Sequence, residues 1–163
     1  MTPDVITPES LLEHWQGHRR LTRKVIEAFP EDKLFTHSIG GMRPFADLVL
    51  EMIHMAGPGV EGVATGQWVS IDKLGHRRPD APKPSTKRGL LTYWDDITEL
   101  IDDTWSLIPV GRFQETDKFF NAYDGPVYAG LFYLIDNEIH HRGQGYVYLR
   151  SLGIEPPPFW DRR

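Results

Sequence analysis

The chain contains no cysteine, no long apolar run and no surplus of basic residues. The missing thiols exclude a disulfide framework, a thiolate metal site and a cysteine nucleophile. No stretch of about 18 apolar residues offers a membrane span. The N-terminal MTPDVITPESLLEHW lacks a basic segment followed by an apolar one, so a cytoplasmic location is expected. With 18 basic against 23 acidic residues, a net charge of −5, the chain is poorly suited to neutralising a phosphate backbone, and no nucleic-acid partner is expected. Any chemistry then rests on nitrogen and oxygen groups, which directs attention to the seven histidines.

Five Trp, eight Phe and six Tyr in 163 residues supply large anchors for a single core over residues 1–163. Helical signals dominate. Thr7-Pro8-Glu9 is an N-terminal capping sequence, and the apolar stripe of Leu11, Leu12, Trp15, Val25, Ile26 and Phe29 predicts a first helix over about residues 8–29. Pro44 opens a second, with Phe45, Leu48, Val49, Met52 and Ile53 at helical spacing until Gly57-Pro58, and residues 59–66 continue it beyond a kink. Leu90–Ile108 is a third, with its acids on the solvated face. Pro126 starts the last, which runs to Gly153 before Pro156-Pro157-Pro158.

Two long connections, 71–89 and 109–125, suit crossovers in a bundle. The first carries Arg77, Arg78, Lys83, Lys87 and Arg88, a charge run read as a solvated loop. The second, with Phe119, Phe120 and Tyr123, covers a pocket mouth or fills the bundle end. No paired strand pattern stands out, and Thr65–Ile71 is a weak strand alternative.

Two polar insertions interrupt the apolar faces. His54 sits in Met52-Ile53-His54-Met55, where a buried imidazole needs a hydrogen-bond partner or a metal. In the last helix, seven polar side chains fall within the nine positions Asp136–Gln144. Residues four apart share a face, so Asn137 and His141 align, with Glu138 about 60° from His141. Two such residues plus His54 from a facing helix make a three-donor pocket. His140, about 100° from His141, suits an outer hydrogen bond or a surface contact.

The run Asp136-Asn137-Glu138-Ile139-His140-His141-Arg142-Gly143-Gln144, followed by Tyr148-Leu149-Arg150, Gly153 and Pro156-Pro157, closely resembles the final-helix signature of DinB-like proteins. The resemblance covers nearly the whole chain. It implies an all-α, four-helix bundle with up-down-down-up topology and long crossovers, forming a homodimer and holding a divalent metal, zinc, nickel or manganese, through three histidines. Carried onto this chain, two of the metal positions match His54 and His141. The remaining position holds Asn137, a neutral and weaker donor than imidazole. Glu138 and His140 would stand behind these ligands.

Two functions follow from the resemblance. In the first, a metal-dependent S-transferase activates a low-molecular-weight thiol for attack on a small electrophile; without cysteine, the sulfur must come from a cosubstrate. In the second, a stress-linked ligand-binding or dimeric bundle has let its metal site lapse. The association of the family name with DNA-damage induction describes expression and supplies no mechanism.

Overall fold

A computed structural model describes residues 4–163. Five helices account for most of them: α1 (Pro8–Ala28), a short α2 (Glu31–Thr36), α3 (Phe45–Thr65), α4 (Lys87–Trp105) and α5 (Val127–Ser151). A two-stranded antiparallel hairpin, β1 (Thr116–Phe119) and β2 (Tyr123–Pro126), precedes α5. The four long helices lie close to their sequence-predicted positions because the capping chemistry is local. The Thr7 hydroxyl accepts from the Ser10 amide ahead of Pro8, and the Thr86 hydroxyl accepts from the Gly89 amide at the start of α4. Gly153, at φ +74°, takes the left-handed conformation that closes α5.

Two expectations need correction. Residues 65–71 form no strand: Gly66 ends α3 in the left-handed region, and 71–73 make a single 3-10 turn. The hairpin, by contrast, escaped the sequence reading, because four-residue strands ending in Gly125-Pro126 show no alternation. Tertiary packing holds it. The Phe119 ring lies where a side chain on Gly130 would stand, 1.8 Å from that glycine's virtual Cβ, and Phe119 and Trp68 pack at 4.3 Å between ring centroids. Phe120 is buried despite a left-handed φ of +50°, a strain offset by its contact with Trp68.

Gly57-Pro58 does not end α3, which remains helical from Phe45 to Thr65. Pro58 nevertheless has no N–H to give to the His54 carbonyl one turn earlier. Among the described residues, no helix is long and apolar enough to cross a membrane.

Helices α1 and α3 each pack against both α4 and α5. The interior has two apolar clusters. One contains Leu11, Trp15, Val60, Val63, Trp105 and Leu131; the other contains Val25, Phe29, Phe45, Ile53, Trp94 and Leu149. Between them along α1 and α5 runs a buried polar layer of His18, Arg19, Thr22, Glu138, His141 and Arg142. Glu138 accepts a 2.7 Å hydrogen bond from the Thr22 hydroxyl, and its oxygens stand 3.8 Å from Arg19 and 3.9 Å from Arg142. Arg19, fully buried, donates to the Trp94 carbonyl and the Thr98 hydroxyl, and its guanidinium carbon lies 3.4 Å from the centre of a Trp94 ring. Burial pulls Arg19 down to about 10, so it stays charged at neutral pH.

Removing one partner from such a network strands buried charge. Glu138→Ala is therefore expected to cost about 3–5 kcal/mol in urea unfolding followed by tryptophan fluorescence. Arg20→Ala, which breaks the more exposed Arg20–Glu13 pair, should cost less than about 1 kcal/mol. Equal losses for the two variants would show that Glu138 contributes no more than a surface charge.

Candidate functional site

Helix α3 places Glu51 and His54 three residues apart on one face, and the connection to α4 lays a 3-10 turn, Gly75–Arg77, across them. The approach is close. A Cβ at Gly75 would stand 2.8 Å from Cγ and Cδ2 of His54, so only glycine fits against that ring. The His76 ring follows, roughly parallel to His54 with centroids 6.3 Å apart, and Tyr93 of α4 meets the His54 ring edge-on at 5.8 Å.

Both His54 and His76 keep a buried Nδ1 without a hydrogen-bond partner. Burial, with His76 and Lys83 nearby, lowers His54 to about 4, and burial also lowers His76. His54 is therefore a neutral imidazole at physiological pH.

His141 enters from α5 and is held on both sides. Its Nδ1 lies 2.7 Å from Gln144 Oε1, and its Nε2 lies 3.1 Å from Glu51 Oε1. The other Glu51 oxygen accepts from Arg43 at 2.6 Å. Hydrogen bonds from His141 and Arg43 hold Glu51 down to about 2, against the opposing effect of burial.

The remaining predicted residues go elsewhere. Asn137 is half-buried and makes no side-chain hydrogen bond among the described residues. Glu138 faces Thr22 and Arg19 of α1 rather than His54 or His141. His140 is exposed, its ring edge-on to His141 at 5.0 Å. No hydrogen bond or ring contact joins His54, Asn137 and His141 to one another. Among the described residues, no group of three or more His, Asp or Glu side chains is arranged to hold a metal ion.

Arg142 also turns toward α1, donating to the Thr22 hydroxyl at 3.1 Å and the His18 carbonyl at 3.3 Å, with Nη2 2.9 Å from His18 Nδ1. That donor occupies the lone pair a second proton would need. Burial, then Arg142 and Arg162, lower His18 to about 3.

Residues 111–162, covering the hairpin and the whole of α5, match the model of the DinB family. Over this C-terminal third the chain is similar to the DinB family. Its fold is similar to that of a DinB-like protein from Bacillus cereus, with a TM-score of 0.73, 18% identity, and 93% of this chain and 97% of the other covered. A DinB-like protein from Bacillus subtilis is comparable, with a TM-score of 0.72, 18% identity, and coverage of 94% and 99%. No curated protein matches this chain significantly in sequence.

Two members of this polar cluster, Glu51 and His76, are absent from the sequence-predicted set. Glu51 was detectable, since a carboxylate three residues before a buried histidine on one helix is a readable spacing. His76 was not, because it lies in the proline-rich basic segment whose path only the packed structure defines.

The lowered histidines predict a pH dependence with a definite sign. Between pH 6.5 and about 3, His18 is neutral in the fold and protonated in the unfolded chain, so stability falls as pH falls through that window. Urea unfolding at pH 7, 6 and 5 should show this decline. His18→Gln, which keeps an oxygen acceptor for Arg142, should flatten the slope by about 1.4 kcal/mol per pH unit below about pH 6. An unchanged slope would mean that His18 is protonated in the fold.

Proposed function

We propose that this DinB-like chain binds a small molecule at the pocket around His54, His76, Glu51 and His141, through hydrogen bonds and apolar contact, without a tightly held resident metal. The observation that carries this reading is the state of His141, both of whose ring nitrogens are engaged by side chains, Gln144 on one side and Glu51 on the other. The position one turn earlier offers the neutral amide of Asn137, a poor donor for zinc or nickel. The donor set carried over from the family resemblance therefore does not fit an ion as placed. What remains is a neutral, solvent-shielded imidazole beside apolar walls, which suits recognition of a polar group on a small ligand.

A second reading, metal-dependent S-transfer from a low-molecular-weight thiol to an electrophile, is favoured by one observation. His54 and His76 each leave a buried ring nitrogen unpartnered, an uncommon cost for a fold to carry.

The two readings separate on metal content. Protein prepared without chelator is expected to hold well under one equivalent of zinc, nickel or manganese by elemental analysis, and to titrate only weakly with each in calorimetry. The double variant Asn137→His, Glu51→Ala restores an imidazole and removes the side chain that engages His141 Nε2, and should gain stoichiometric binding. Wild-type protein that retains one equivalent through dialysis would overturn the metal-free reading in favour of the second.

A further inference from the structure

Beside His54, between α3, α4 and the connection joining them, lies a cleft of about 400 Å³. Ile53, Leu74 and Ile97 supply apolar walls, and the His54 and Tyr93 rings lie along it. Lys73 and Arg78 complete its lining, and no Asp or Glu lines it. In a chain of net charge −5, a cleft bordered by two cations and no anion is a local reversal of the overall field. Arg78 pairs with the exposed Asp80, whereas Lys73 has no acidic partner among the described residues. His54 is 8% exposed, and its Nδ1 has no hydrogen-bond partner.

We propose that this cleft binds a small amphipathic organic anion, an apolar body bearing one carboxylate, with the carboxylate toward Lys73 and Arg78 and the body against Ile53, Leu74 and Ile97. This assigns a ligand class to the cleft that opens on the His54 side of that cluster, and rests on the small-molecule reading above. Three features combine. The volume lies within the usual range for small-ligand sites. The walls reward apolar area. The cations attract a carboxylate at the mouth, where its desolvation is incomplete and inexpensive. A neutral imidazole adds a hydrogen-bonding group that leaves the ligand charge uncompensated, so discrimination by charge falls to Lys73 and Arg78. The same feature makes an ammonium ligand unsuitable, since nothing lining the cleft would neutralise it.

The test uses three probes of one shape and different charge, phenylacetate, phenylacetamide and phenethylamine, titrated into the full-length protein with backbone amide and histidine-ring shifts followed by NMR. Phenylacetate is expected to shift the Leu74 and Gly75 amides and the His54 ring, and to bind more tightly than the amide. Lys73→Ala should weaken phenylacetate by about fivefold, the upper end for one solvent-exposed ion pair, and leave phenylacetamide unchanged. Both Lys73 and Arg78 are exposed, so Lys73→Ala and Arg78→Ala should retain the wild-type amide spectrum away from the cleft. Equal binding of phenylacetate and phenylacetamide at these residues would overturn the anion assignment while leaving the small-molecule reading intact. If none of the three probes shifts Leu74, Gly75 or His54, both fall.

Discussion

Glu138 stands between two buried guanidinium groups, and much of the interior depends on how that excess positive charge is managed. One carboxylate cannot neutralise Arg19 and Arg142 together. The remainder is spread over the Trp94 and His18 carbonyls, the hydroxyls of Thr22 and Thr98, and a Trp94 ring face. Each acceptor sits on a different helix from its arginine, so the network is satisfied in only one register of α1 against α4 and α5. An apolar layer of similar volume would tolerate sliding; a layer of directional contacts does not.

That register decides what α5 presents to α3. With Glu138 and Arg142 committed to α1, helical geometry turns His141 by about 60–100° away from them, toward Glu51. Residues adjacent in the histidine-rich segment thus face different helices, α1 and α3. Glu138 and Arg142 tie α5 to α1, while His141, held by Gln144, meets Glu51 of α3. The pocket itself is finished by a connection rather than by a helix: the Gly75–Arg77 turn lies against the His54 ring at a distance that only glycine permits. The same segment brings Lys73 and Arg78 to the neighbouring cleft, so Arg78, part of a charge run read as a solvated loop, lines a concave surface.

Much of this was legible from spacing alone. His54 announced itself as a polar residue inside an apolar run, and His141 as part of a polar crowd too dense for a packing helix. The direction of that crowd was less visible. Glu138 lies near His141 on a helical wheel, yet its partners are Thr22 and Arg19, because nothing in α5 indicates which neighbour occupies each side. The i, i+4 pairing of Glu138 with Arg142 is similarly unremarkable on an isolated helix and costly to break only once buried. The hairpin, held by Phe119 against Gly130, left no local signature at all.

The amino-acid sequence by itself determined the four long helices, the Thr7 cap of the first, the thiol-free chemistry and the replacement of an expected imidazole by Asn137, since these depend on residue type and on neighbours within a few positions. Only the tertiary structure decided that His141 meets Glu51, that Glu138 belongs to α1 and that His76 and Gly75 fold over His54. Those pairings join residues from 21 positions apart, Gly75 to His54, to 116 apart, Thr22 to Glu138, across connections whose paths are set by packing, where burial and charge compensation act between elements.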